Sequence, residues 1–301
     1  MKKLVIITGV TSFLGRNVAK KLIKENYEVI GILRPESKKS LIKDITGLKT
    51  ITIDFNKIDL KEFNDIEYNY KVKKCIEKIA ESNKEIYFIH FGWGNTLNRN
   101  DFTAQMLNVD YSKKVFDIAK LIGAKSFIFA GSQAEKSNIT AYGMAKNNFA
   151  DWASNNNDSI NFIHLRIHSI YGIGDRDNSL IMSIIKSVKE NKSIELSSLN
   201  YFWNFLYIDD FTDIISIILN KDIDSRYIYD IGSNDTRLLI DYVEEIKNIL
   251  KAKNKFLIGV RQDSKEIFTP PNISNMMKAI GDYKFTKFNE GIVNIYKHYG
   301  R

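Results

Sequence analysis

Tyr142 and Lys146, in Tyr142-Gly143-Met144-Ala145-Lys146, carry the most chemistry in this chain. Residues four apart share one helix face. An ammonium beside a phenol favours the phenolate, drawing down a pKa that starts at about 10. Such a tyrosine trades a proton with a carbonyl or an alkoxide. Ser132 lies ten residues earlier, in Ala130-Gly131-Ser132-Gln133-Ala134, at the end of an apolar run read as a strand. Side chains at strand ends face the ligand crevice of an open α/β sheet, so Ser132 is placed to hydrogen-bond the same oxygen. A second constellation opens the chain. The run ending at Thr8 passes into Gly9-Val10-Thr11-Ser12-Phe13-Leu14-Gly15 and then a helical pattern. A glycine-rich turn there lets backbone N–H groups meet a pyrophosphate on the positive helix end. Gly9 and Gly15 hold glycine positions, Ser12 stands where a middle glycine is usual, and Thr11, Phe13 and Leu14 complete the cradle.

The second strand ends at Gly31-Ile32-Leu33-Arg34-Pro35. A carboxylate at that tip accepts from an adenosine ribose, whereas an arginine suits a 2′-phosphate, so Arg34 tips the expected cofactor toward NADP, with NAD as the alternative. Asp54, ending the third strand, is the candidate for the adenine edge.

The elements that must position these groups follow from apolar patterning. Short apolar runs at 3–8, 28–33, 50–54, 86–90, 126–130 and 161–166 read as buried strands. Amphipathic stretches at 15–25, 70–82, 103–122 and 142–155 read as helices between them. That alternation predicts an α/β fold, a doubly wound parallel sheet covered on both faces. Beyond residue 175 the pattern loosens into a helix at 180–190, strand-like 194–199 and 205–208, a helix at 211–219, a strand at 227–231 and two further helical stretches. The expected organisation is a dinucleotide domain over 1–170, rejoined at about 203–235, with a smaller interleaved α/β lobe from 171–202 and 236–301.

Composition narrows the class. The 301 residues are 44% hydrophobic and 12% aromatic, enough to bury a core. No apolar run reaches the length of a membrane span, and the apolar start breaks at Thr8-Gly9 without a cleavage site. Cys75 is the single cysteine, which excludes an internal disulfide and a thiolate zinc cluster and points to a reducing cytoplasm. The net charge of +8 comes from lysines interspersed with acids, read as solvated faces rather than a nucleic-acid stripe. His90, His164, His168 and His298 show no metal-ligand spacing, and His90 and His168 read as hydrogen-bonded wall residues.

With these residues in place, the chain resembles the extended short-chain dehydrogenase/reductases, in the sugar-nucleotide epimerase/dehydratase branch. The resemblance spans essentially the whole chain and adds His90-Phe91-Gly92-Trp93, Asn108, Leu165-Arg166, Tyr171-Gly172, Trp203 through Asp210, and Tyr229-Asp230-Ile231-Gly232-Ser233. It implies a Rossmann sheet, a homodimer through the helices at 103–122 and 142–155, and Ser132, Tyr142 and Lys146 as the catalytic set, with Lys146 also holding the nicotinamide ribose. Phe91, Gly92 and Asn108 then line the cofactor. Trp93, Arg176, Trp203 and Arg261 line the nucleotide-sugar substrate, with Lys189 a further candidate for its pyrophosphate. Trp203 stands where many relatives carry a phosphate-binding arginine, so it stacks on a base or packs the lobe.

Three departures from the family narrow the activity. The 4,6-dehydratases carry acidic residues directly after the active Ser/Thr, where this chain has Gln133 and Ala134; Glu135 falls one place late. The cysteine and histidine of the epimerase/reductases that make GDP-fucose are missing, with Gly174 at the histidine position. The stretch from Ser132 to Tyr142 is shorter than the family's. The expectation is an NADPH-dependent reductase of a nucleotide-linked 4-keto-6-deoxy sugar. Alternatives are an NAD-dependent C4 epimerase, a non-catalytic dinucleotide sensor and, last, an RNA-binding relative.

Overall fold

The computed structural model describes residues 2–58, 67–221, 223–263 and 268–299. The chain divides into two compact units, Met1–Arg166 with Ile215–Ile228, and Ile167–Ile214 with Tyr229–Arg301.

In the first unit the strands are β1 (Lys3–Thr8), β2 (Glu28–Leu33), β3 (Lys49–Thr52), β4 (Glu85–His90), β5 (Ser126–Ala130) and β6 (Asn161–Ile167). The helices between them are α1 (Phe13–Lys24), α2 (Glu67–Ala80), α3 (Phe102–Leu121), α4 (Ala134–Ser137) and α5 (Ala141–Ser154). These six strands of the seven-stranded sheet run parallel in the order β3-β2-β1-β4-β5-β6, the doubly wound order. Leu4 to Thr8 are all buried rather than alternating, as in a sheet covered on both faces. Register aligns the strand ends that matter: Thr8 lies opposite His90, and His90 opposite Phe129. Beneath that edge Phe116, Phe127, Phe129, Phe149 and Phe162 are buried together, with Phe129 and Phe149 at 4.8 Å between ring centroids. This packing gives the site a stiff floor.

Helix starts are capped by side chains that accept from otherwise orphaned N–H groups. Ser12 accepts from Gly15 N at 3.1 Å, Asp101 from Ala104 N at 3.0 Å, and Thr140 from Gly143 N at 3.2 Å. Several boundaries differ from the sequence expectation; the strand expected at 194–199 forms only over Ile194–Glu195, and the one expected at 205–208 runs over Phe202–Tyr207. β3 ends at Thr52, and Asp54 lies beyond it because its Oδ1 turns back to accept from Asn56 N at 3.1 Å. The helix expected at 211–219 begins at Ile208, bringing Asp209 and Asp210 into its first turn, where acids suit the helix dipole.

In the second unit β7 (Ser169–Tyr171) pairs in parallel with β8 (Phe202–Tyr207), and β9 (Thr236–Leu238) pairs antiparallel with β8. Tyr171, Phe205, Tyr242 and Phe288 form an aromatic cluster, Tyr242 and Phe288 at 4.7 Å. Where two closing helices were expected, three form, at Leu239–Ile249, Ser274–Ile280 and Phe288–Tyr299.

Candidate active site

The turn after β1 is built for close approach. Gly9 adopts φ +67°, and a Cβ there would stand 2.7 Å from the Phe91 carbonyl carbon. A Cβ on Gly15 would stand 2.3 Å from Gly9 O. Ser12 N–H donates to Gly9 O at 2.8 Å, closing the turn. The Ser12 hydroxyl serves as the N-cap of α1, and no carbonyl of the helix can accept from the N–H groups of Phe13 and Leu14. An N-terminus with donors and a glycine cradle that any Cβ would fill fits a dinucleotide pyrophosphate.

A hydrogen-bond chain fixes the neighbouring loop. Gly92 N–H donates to Thr8 Oγ1 at 3.2 Å, Thr8 Oγ1 lies 2.6 Å from His90 Nδ1, His90 Nε2 lies 2.9 Å from Ser112 Oγ, and Ser112 donates to Asn108 O at 2.7 Å. Because the Ser112 proton goes to Asn108 O, His90 donates through Nε2 and accepts through Nδ1. Burial, helped by the nearby Lys146 charge, holds the His90 pKa down to about 3, so the ring stays neutral as the wall residue expected. Asn108 clamps Gly94, accepting from its N–H at 2.7 Å and donating to its carbonyl at 3.2 Å. Arg34 extends from the end of β2 toward the same glycine, its Nη1 being 3.5 Å from where a Gly94 Cβ would sit, and its Nε is 2.9 Å from Glu36 Oε1.

The Tyr/Lys pair sits over the aromatic floor. Lys146 is 3% exposed and donates to Ala130 O at 2.5 Å. Its Nζ lies 4.0 Å from the Trp93 ring centroid, 4.7 Å from Phe129 and 5.7 Å from Tyr142. Burial pulls its pKa from 10.5 to about 7, with Glu135 pulling the other way. Trp93 meets Tyr142 edge-on at 6.2 Å and is anchored by Nε1–H donating to Gln105 Oε1 at 2.8 Å. Two groups absent from the sequence reading complete this corner. Gln105, fully buried, donates to Asn95 O and Asn98 O and shapes the loop. Arg99 places its guanidinium carbon 4.6 Å from the Tyr142 ring centroid, and its carbonyl accepts from Tyr142 N–H at 2.8 Å.

Ser132 is buried at the end of β5, and its Oγ accepts from Ala134 N at 3.3 Å. Glu135 lies behind it, accepting from Ser132 N–H through Oε1 at 2.6 Å and facing His164 Nε2 through Oε2 at 2.9 Å. Gln133 Oε1 is buried and accepts from no described residue.

Asp54 Oδ1 accepts from Asn56 N and Nδ2 within its own turn. Trp203 stacks on Phe268 at 5.1 Å and 28°, Arg176 is exposed with its N–H donating to Asp175 Oδ1, and Arg261 is exposed with its N–H donating to Leu196 O. Lys189 donates to Tyr299 O at 2.6 Å, which makes it a tie to the C-terminal helix.

A doubly wound parallel sheet with a dinucleotide turn and a Ser/Tyr/Lys edge defines a nicotinamide-dependent enzyme class. The chain belongs to the NAD dependent epimerase/dehydratase family, whose model matches residues 5–232. It is 24% identical to CDP-abequose synthase of Salmonella muenchen over 86% of this chain and 85% of that one. It is 20% identical to GDP-6-deoxy-D-talose 4-dehydrogenase of Aggregatibacter actinomycetemcomitans over 98% and 97%. The fold matches that of UDP-glucose 4-epimerase from Thermotoga maritima with a TM-score of 0.82 at 14% identity, covering 99% and 98%. Among the described residues, no helix is long and apolar enough to cross a membrane and no cluster of metal-ligating side chains occurs.

Proposed function

We propose that the chain reduces the 4-keto group of a nucleotide-linked 6-deoxy sugar with NADPH. The observation that carries this reading is Tyr142, flanked by Lys146 and Arg99, beside a Glu135 whose two oxygens are already engaged. Dehydration needs a further acid and base next to Ser132; reduction of one carbonyl does not. The CDP-abequose synthases and the 6-deoxy-talose 4-dehydrogenase among the relatives point to the same substrate class.

Gly9, Thr11, Ser12, Phe13, Leu14, Gly15, Phe91, Gly92, Asn108 and Lys146 would hold the dinucleotide, with Arg34 at its 2′-phosphate. When bound, that group supplies the hydride the keto carbon receives. The carbonyl π pair moves to oxygen, and the Tyr142 phenol gives that oxygen its proton. Lys146 and Arg99 stabilise the phenolate left behind. Ser132 donates to the same oxygen and polarises it before the proton arrives. The orphaned Gln133 Oε1 is an acceptor for a sugar hydroxyl. Trp93 is the substrate contact we assign in the first unit. Exposed Phe102, Leu107 and Leu121 on α3 and Met144 on α5 support a homodimer through these helices.

The test is Tyr142→Phe. Turnover should fall about a hundredfold or more while NADPH affinity stays within threefold; near-wild-type turnover contradicts the mechanism. The same residues serve an NAD-linked C4 epimerase, and the Arg34–Glu36 pair favours that second reading because the arginine already has an anion. Purified protein that retains NAD would support the epimerase.

A further inference from the structure

Glu135 is a carboxylate with no exposed side-chain surface, one turn from the active serine and unused by the chemistry above. Its surroundings are built around it. Oε1 accepts from Ser132 N–H at 2.6 Å, and Oε2 faces His164 Nε2 at 2.9 Å and Arg166 Nε at 3.3 Å. A Cβ on Gly131 would stand 2.5 Å from Glu135 Oε1 and 2.6 Å from His164 Nε2, so glycine at 131 is what lets the carboxylate dock. An ionised carboxylate only accepts, which makes His164 Nε2 the donor. α4 is a single short turn, so Glu135 is held by these partners rather than by its helix.

We infer that Glu135 is the positioning residue of the Ser132/Tyr142/Lys146 site, a buried anion that fixes the Ser132 turn through its N–H and supplies the negative charge against which Lys146 keeps its proton. The inference rests on the Ser/Tyr/Lys reading above but concerns a group that never touches substrate. Burial opposes its ionisation, but the His164 hydrogen bond and charge, the Ser132 N–H and Lys146 outweigh that and hold its carboxyl below the usual range. The other groups facing Lys146 are His90 from β4, neutral as shown, and Tyr142 on α5; Arg99 stacks on the far partner, Tyr142. His164 and Arg166 from β6 meet Glu135 Oε2. Glu135 is the anion whose charge opposes the effect of burial on Lys146.

The test reads Lys146 directly in the free protein. With lysine labelled by 13C at Cε, the Lys146 resonance is the one missing from Lys146→Met, and its chemical shift against pH gives the titration midpoint. Glu135→Gln keeps an acceptor for Ser132 N–H but removes the charge, and should move that midpoint down by about one pH unit. Should that variant fail to fold, Arg166→Gln, at a side chain 18% exposed, removes the cation beside Glu135 and should move the midpoint up. In turnover, Glu135→Gln should lower kcat about a hundredfold with NADPH affinity unchanged, as expected for misplaced catalytic groups. An unmoved Lys146 titration in the folded variants overturns the inference. Failure of the wild-type chain to turn over any keto sugar overturns the activity reading instead and leaves the titration result standing.

Discussion

Replacing Lys146 by Met should change how stability depends on pH, and the structure sets the size of the change. Lys146 Nζ is enclosed by Trp93, Phe129 and the Ala130 carbonyl, and burial lowers its pKa from 10.5 to about 7. Between those two values the unfolded chain holds the proton and the folded chain does not. Stability therefore rises with pH through that window and reaches its full gain above the unfolded value. At about 1.4 kcal/mol per pH unit, the gain from pH 7 to 9 is roughly 2–3 kcal/mol, and the whole window spans roughly 5 kcal/mol. Below pH 7 the buried ammonium is carried at full penalty. Met matches the length of the side chain without a titrating group, so its curve lacks this slope. The assay is urea unfolding of both proteins, free of cofactor, at pH 6, 7, 8 and 9. The stability of wild type minus that of the Lys146→Met variant should be flat up to about pH 7 and climb thereafter in favour of wild type. Parallel curves from pH 6 to 9 would refute the burial argument, because they would mean that Lys146 titrates alike in both states.

Gly9→Ala forces a Cβ to within 2.7 Å of the Phe91 backbone at φ +67°; it should destabilise the fold by about 2 kcal/mol or more and weaken dinucleotide binding, read by thermal unfolding and fluorescence titration. Arg34→Gln should reduce the NADPH-to-NADH preference about tenfold or more, the worth of a charged hydrogen bond to phosphate, as seen in the kcat/KM ratio. Leu107→Lys on the exposed face of α3 should break the proposed dimer, so that the variant sediments as a monomer and wild type does not, with the unfolding midpoint little changed.

Much of this architecture is legible in the sequence because it is local. β1, β2 and β5 lie at the residues expected, since each is an unbroken apolar run stopped by a glycine or a polar turn. Tyr142 and Lys146 are legible because a four-residue spacing on a helix is itself a geometry, and α5 forms within one residue of the pattern. The turn at Gly9 is legible because strand, glycine and helix follow directly. Asp54 is misplaced by an expected β3 that runs too long, because an Asx turn competes with one more ladder step. Arg99 carries no signal in the sequence, and nothing there unites Glu135, His164 and Arg166, which meet through the register of β5 against β6. Glu135 in particular looks like a displaced dehydratase acid in sequence, and its contacts with Ser132, His164 and Arg166 appear only in the fold.

The most direct test of the central claim is loss of reduced-nicotinamide absorbance when the chain meets NADPH and a panel of CDP-, GDP-, UDP- and dTDP-linked 4-keto-6-deoxy sugars, with NADH and Tyr142→Phe as controls. Rapid, stoichiometric NADPH oxidation is expected with one nucleotide, with slower oxidation of NADH and a rate about a hundredfold or more lower in the Phe variant. No oxidation with any member of the panel, together with an isomerised but unreduced sugar on protein-held NAD, would contradict it.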